Sequence, residues 1–219
     1  MPLSQGLFHH TPQPTDPPPP TPARAVRLAI YGDSYTVGRG TSDPCLRWST
    51  LLCHRHGWEE LNEGINGLGF VRKRQDRNGH SEGVERIVAA KADVVLVSLG
   101  TNDTVMFDDH ADAIAANITA DLRDLSTGLP GSRILVMEPF WAYTEIPPKV
   151  ATIRFWLKQA AEAIGVDYIE NTSTSFAGRP DLLAPDGLHA NDIGHRLIAQ
   201  FMEEALTTRG VLPQAGSGR

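Results

Sequence analysis

Ser34 lies in the stretch Tyr31-Gly32-Asp33-Ser34-Tyr35-Thr36-Val37-Gly38, directly behind the apolar run Val26 to Ile30. An apolar run that breaks into small and polar residues reads as a buried strand turning into a helix. A hydroxyl at such a turn stands at the carboxyl edge of a sheet, where α/β proteins gather their chemistry. Serine is a weak nucleophile unless a base takes its proton during attack. His189 is of the right type for that base, and Asp186, three residues before it, can hold the imidazole in one tautomer. Two further segments supply donors for the negative oxygen that acyl transfer develops. They are the turn Gly64-Ile65-Asn66-Gly67-Leu68-Gly69 and the segment Gly100-Thr101-Asn102-Asp103. The N–H groups of Ser34 and Gly67 with the side-chain amide of Asn102 would form that oxyanion hole. Each residue also has a plainer reading: Asp33, Ser34, Asn102, Asp103 and Asp186 suit helix caps, Gly67 suits a tight turn, and His189 suits the surface.

Positioning these groups requires an alternation of strands and helices, and one is visible. After the first strand, Arg47 to His56 reads as a helix closed by Gly57, and Glu60 to Asn62 as a short second strand. Glu82 to Lys91 follows as a helix, and Asp93 to Leu99 as a run apolar almost throughout and rich in β-branched residues, bounded by Asp93 and Gly100, which suits a central parallel strand. Ala111, Ile114, Ala115, Ile118, Leu122 and Leu125 mark the apolar face of a helix. Arg133 to Glu138 is a fourth strand, Val150 to Ile164 another helical stripe, and Val166 to Ile169 a fifth strand. A last helix carries Ile193, Leu197, Ile198, Phe201 and Met202, capped by Asn191 or Asp192. The order predicts a three-layer α/β/α sandwich around a mainly parallel five-stranded sheet. Its carboxyl edge brings together the loops bearing Ser34, Gly67 and Asn102, with Asp186 and His189 arriving before the last helix.

The segments Gly32-Asp33-Ser34, Asn62-x-x-x-x-Gly67, Gly100-Thr101-Asn102-Asp103 and Asp186-Gly187-Leu188-His189 resemble, in order and spacing, the four signature segments of the SGNH hydrolases, the GDSL esterase/lipase family. The resemblance runs from Val26 to about Leu206. It implies a flavodoxin-like sandwich and ester hydrolysis through an acyl-enzyme, with no metal and no cofactor. It carries over Ser34 as nucleophile, His189 as base, Asp186 as its partner, and Gly67 with Asn102 as oxyanion donors. The sequence departs from the pattern at Tyr35, where the family often has leucine.

Totals narrow the remaining classes. A chain of 219 residues with 41% hydrophobic and 21% charged residues fits one globular domain. We place that domain at 24–208, between a proline-rich arm at 1–23, holding eight of the sixteen prolines, and a tail at 209–219. A net charge of −6 argues against a nucleic-acid partner. The basic cluster Arg72, Lys73, Arg74 and Arg77 reads as a solvated loop. No run is long enough to span a membrane, and the N-terminus lacks a basic start and an apolar core, so a cytoplasmic protein is expected. Cys45 and Cys53 fit neither a disulfide scaffold nor a zinc framework.

For substrate, the loop Glu138-Pro139-Phe140-Trp141-Ala142-Tyr143 lies on the same edge, and Trp141 and Tyr143, with Tyr35, are candidate pocket residues. Nothing suggests a long lipid tunnel. A small-molecule ester with a short acyl group, acetyl above all and carbohydrate acetyl esters among them, is the expected substrate. A lysophospholipase or acyl-thioesterase is the alternative within the family. A flavodoxin-like module cradling phosphate or flavin on Ser34, Tyr35, Thr36 and Gly38 is the alternative outside it.

Overall fold

The computed structural model describes residues 24–173 and 176–213. The expected proline-rich arm falls outside the described residues. Five parallel strands form the sheet, in the order β2-β1-β5-β6-β7. They are β1 (Arg27–Gly32), β2 (Glu59–Gly64), β5 (Val94–Ser98), β6 (Arg133–Met137) and β7 (Asp167–Ile169). A two-residue antiparallel hairpin, β3 (Asp76–Arg77) with β4 (His80–Ser81), stands apart. The helices are α1 (Ser34–Val37), α2 (Trp48–His56), α3 (Glu82–Ala89), α4 (Phe107–Gly128), α5 (Pro148–Ile164) and α6 (Asp192–Thr208).

Because successive side chains of a strand point to opposite faces, each central strand feeds two cores. Leu28 and Ile30 of β1, Leu96 of β5 and Leu135 of β6 pack against Trp48 and Leu52 of α2 and Ile198, Met202 and Leu206 of α6. Ala29, Tyr31, Val95, Val97 and Val136 pack on the other face against Ile87 of α3, Ile118 and Leu122 of α4 and Leu157 of α5. This is the expected three-layer α/β/α sandwich. Both faces of β5 are covered, which is why its sequence is apolar without alternation. The chain stays packed on the domain beyond the expected end at 208, since Leu212 is buried against the first core. Among the described residues, no helix is long and apolar enough to cross a membrane.

The basic cluster is a solvated loop only in part: Lys73 and Arg77 are exposed, as expected, but Arg74 is not. The side chain of Arg74 is only 4% exposed and makes two parallel bonds, 2.7 and 2.8 Å, to the buried carboxylate of Asp121 on α4. Tyr31 also donates to Asp121, and Arg74 Nε donates to Asp76 at 2.6 Å, so further bonds support both members of the pair. A buried ion pair survives only when such bonds offset desolvation. It staples the segment after β2 onto α4. Cys45 is exposed and Cys53 buried, and both are free thiols.

Candidate active site

Register places the site. Gly32 at the end of β1 pairs with Gly64 of β2 and with Ser98 of β5, so the loops that follow all leave from one edge. The turn from β1 into α1 is tight: a Cβ on Gly32 would stand 1.9 Å from Thr36 Oγ1 and 3.2 Å from the Ser98 carbonyl. Asp33 does act as the helix cap, accepting the N–H of Tyr35 at 3.0 Å. Ser34, the first helical residue, is left with its hydroxyl in the cleft.

The loop before α6 is equally constrained. Asn191 caps α6 by accepting the N–H groups of Ile193 and Gly194, and its amide donates to the carbonyls of Asp181 and Leu183. Leu183 and Ala190 form a bridge that closes the loop's neck. Within it, Asp186 Oδ1 accepts the N–H groups of Leu188 and His189, each at 3.0 Å. Its Oδ2 lies 2.7 Å from His189 Nδ1, and His189 Nε2 lies 2.9 Å from Ser34 Oγ. Tyr35 ties the two loops together: its phenol donates to the Leu188 carbonyl at 2.6 Å, and its ring stacks on Phe140. The N–H of His189, its ring and the N–H of Leu188 hold Asp186 well below the usual carboxylate range. His189 is only 7% exposed rather than lying on the surface.

Asn102 follows β5 and lines the same cleft as Ser34 and His189. Its amide donates to the Leu68 carbonyl at 3.0 Å and to Asp33 Oδ2 at 3.1 Å, while its Oδ1 accepts from Arg72 at 3.2 Å. Gly67 sits in a turn with φ of +79°, a conformation that disfavours a side chain, so the tight-turn reading holds for it as well. It does not line the cleft itself, but it immediately precedes the Leu68 bonded to Asn102, and no acceptor among the described residues takes its N–H. Trp141 and Tyr35 line the cleft; Tyr143 does not, and packs edge-on against Trp141. The cleft encloses about 150 Å³ and is also walled by Thr101, Thr104, Val105, Phe140, Ala142 and Leu188.

Two carboxylates do more than their place in the sequence suggests. Asp103, considered only as a cap, is fully buried and accepts the N–H groups of Phe70, Val71 and Arg72, anchoring the turn after Gly67. Asp33, besides capping α1, is buried against Asn102. Burial pushes its carboxyl from 3.8 up to about 7, against the opposing pull of the Tyr35 N–H. Between those values the folded chain holds a proton that the unfolded chain has lost. Stability therefore falls as pH rises through that window, and the cost is complete above it. Asp33→Asn keeps a capping oxygen and removes the charge. Its Tm relative to wild type is expected to be several degrees more favourable at pH 8 than at pH 5, any pH-independent change cancelling in the difference. Equal offsets at the two pH values would refute this account.

A phosphate or flavin cradle at this turn meets an obstacle, because α1 has only four residues and its N-terminus is already closed by the Asp33 side chain. Comparison with known sequences decides between the classes. The profile of the GDSL-like lipase/acylhydrolase family matches residues 30–197. The chain belongs to that family. This GDSL protein is 28% identical over 182 residues to the GDSL lipase Rv0518 of Mycobacterium tuberculosis, with 78% of each chain covered. Its fold is similar to that of the psychrotrophic esterase EstA from a Pseudoalteromonas species, with a TM-score of 0.66 at 19% identity over 85% of this chain and 99% of the other. A two-domain esterase (CEX) active on acetylated mannans matches 87% of the GDSL chain and 51% of its own, with a TM-score of 0.65 at 19% identity. The GDSL protein is a serine ester hydrolase.

Proposed function

We propose that the chain hydrolyses a short-acyl carboxylic ester, foremost an acetyl ester carried on a carbohydrate, through an acyl-enzyme on Ser34. Ser34 Oγ attacks the ester carbonyl as His189 Nε2 takes its proton. Asp186 keeps the other ring proton on Nδ1 and stabilises the imidazolium that forms. The N–H groups of Ser34 and Gly67 and the amide of Asn102 receive the oxyanion. Collapse expels the alcohol, protonated by His189, and leaves the acyl group on Ser34. Water, deprotonated by the same imidazole, then attacks the acyl-serine, releasing the acid and restoring the hydroxyl.

Cleft size is the observation that carries the short-acyl reading. About 150 Å³ is well below the several hundred typical of sites for larger ligands, and roughly what a single benzene ring fills in an engineered cavity. An acetyl group leaves room there for part of the alcohol; a palmitoyl chain does not fit inside. Trp141 in the wall, with Tyr143 against it, supplies aromatic surface for a sugar ring. That a solved esterase of this fold is active on acetylated mannans supports a carbohydrate ester.

The lysophospholipase or thioesterase reading has one observation in its favour. Val105, 72% exposed, and Leu188, 41% exposed, form an apolar rim over which a longer chain could lie. Rates on p-nitrophenyl acetate, octanoate and palmitate separate the two. We expect kcat/KM for acetate to exceed that for palmitate by at least roughly tenfold, since a chain too long for the cleft holds its carbonyl off the position of attack. A preference for the longest chain would overturn the short-acyl reading in favour of the rim.

A further inference from the structure

We propose that Arg72 is a positioning residue for the oxyanion side of this reaction, its guanidinium joining the two donor segments from behind. The inference rests on the oxyanion roles proposed above for Gly67 and Asn102. Arg72 Nη1 lies 3.2 Å from the Gly67 carbonyl and 3.2 Å from Asn102 Oδ1. The first contact fixes the peptide that follows Gly67, and the second fixes one end of the Asn102 amide.

Charge makes the second contact directional. A guanidinium has donors only, so it holds the oxygen end of the amide; the Asp33 carboxylate, when ionised, has acceptors only, so it holds the nitrogen end. The amide therefore lies between a cation and a buried acid and cannot flip without losing both contacts. A cation on the amide oxygen also polarises the group, which strengthens its N–H groups as donors. Both of those N–H groups are engaged in the free protein, by Leu68 and by Asp33. An oxyanion must draw one of them away, and Arg72 holds the amide in place while that exchange occurs.

Among the described residues the side chain makes no further hydrogen bond, and its charge opposes the rise that burial imposes on the Asp103 carboxyl. The Arg72 backbone is anchored independently, its N–H donating to Asp103 Oδ1 at 3.1 Å and its carbonyl accepting from Gly69 at 2.8 Å. The guanidinium is partly exposed and has no carboxylate within ion-pairing distance among the described residues, unlike Arg74 two positions later. Residues 102 and 103 thus close a ring with Arg72: Asp103 holds its backbone, and its side chain returns to Asn102.

Steady-state kinetics of Arg72→Met on p-nitrophenyl acetate test this. We expect kcat to fall about 10- to 100-fold, the scale of a misplaced rather than a deleted donor, with KM within about twofold and Tm nearly unchanged. In an Asn102→Ala background the same substitution is expected to cost no more than about threefold, because residues acting through one another are not additive. In Arg72→Ala, added guanidinium ion is expected to restore part of the lost kcat, which it would not do if the arginine served only folding. Should the methionine or alanine variant fail to fold, Arg72→Lys keeps the charge but not the fork and is expected to lose about tenfold in kcat. Wild-type kcat in the folded variants, losses that add in full to those of Asn102→Ala, or a change confined to KM would each overturn the proposal. The site assignment itself is checked separately: if Ser34→Ala kept full activity, that assignment would fall with everything built on it. An enzyme that depends on Ser34 yet is indifferent to residue 72 refutes Arg72 alone.

Discussion

Ser34→Ala is expected to lower kcat by at least about 10⁴-fold while leaving the fold in place, the size of loss seen when an acyl-transfer nucleophile is removed from an otherwise intact site. The hydroxyl is the atom to which His189 Nε2 points, at 2.9 Å, and among the described residues no second serine or threonine bonds to that nitrogen. Removing it deletes one oxygen from the wall of an open cleft, so no large void forms and the backbone cap by Asp33 onto Tyr35 is untouched. Tm is therefore expected to change little. A fluorophosphonate that labels the wild-type protein should fail to label the alanine variant, since covalent capture needs the same activated oxygen. Residual activity near the wild-type level, or labelling that persists in the variant, would exclude Ser34 as nucleophile.

Asp186→Asn is expected to cost about 10⁴-fold in kcat with little effect on KM. The reason lies in the backbone. Asp186 Oδ1 accepts two N–H groups, from Leu188 and His189, so in the amide variant that position must remain oxygen. The –NH₂ is then forced to face His189 Nδ1, where the carboxylate had accepted a proton at 2.7 Å. Facing a donor, Nδ1 must give up its hydrogen, and the neutral ring carries it on Nε2 instead. Nε2 would then present a hydrogen to Ser34 Oγ rather than a lone pair, and the serine proton has nowhere to go. Since the loop keeps both backbone bonds, circular dichroism and Tm should match wild type. A fall in kcat of less than tenfold would show that something other than this carboxylate sets the tautomer of His189.

Much of this arrangement was legible in the chain before any coordinates. β5 announced itself because a strand covered on both faces has no polar side, so Val94 to Val97 reads as one apolar run. α5 was visible as the stripe Val150, Ile153, Leu157, Ala160 and Ala161, all buried and ended by Gly165 in the left-handed conformation. β2 was seen only as Glu60 to Asn62 because this edge strand is only partly buried and its sequence, Glu59 to Gly64, is mostly polar. The hairpin of β3 and β4 escaped notice: two-residue strands carry no periodicity. The burial of Arg74 left no sign in the sequence for a related reason. The carboxylate that buries Arg74 stands 47 residues away on α4, and a pairing over that distance leaves no local trace.

The candidate site divides the same way. Which residue types could do acyl transfer, and in which loops, follows from local chemistry: strand ends, turn residues and a carboxylate three positions before an imidazole are properties of short segments. What local chemistry does not contain is closure across the chain. Ser34 and His189 are 155 residues apart, and their meeting depends on parallel strand register, on the neck formed by Leu183 and Ala190, and on the phenol of Tyr35 reaching the Leu188 carbonyl. The same holds for the Asn102 amide, set between Asp33 and Arg72 from two other loops. Sequence alone determined the candidates, because propensity and hydrogen-bonding type reside in each residue. Only the tertiary structure decided which of them touch, because burial and charge pairing are relations between segments that the linear order does not record.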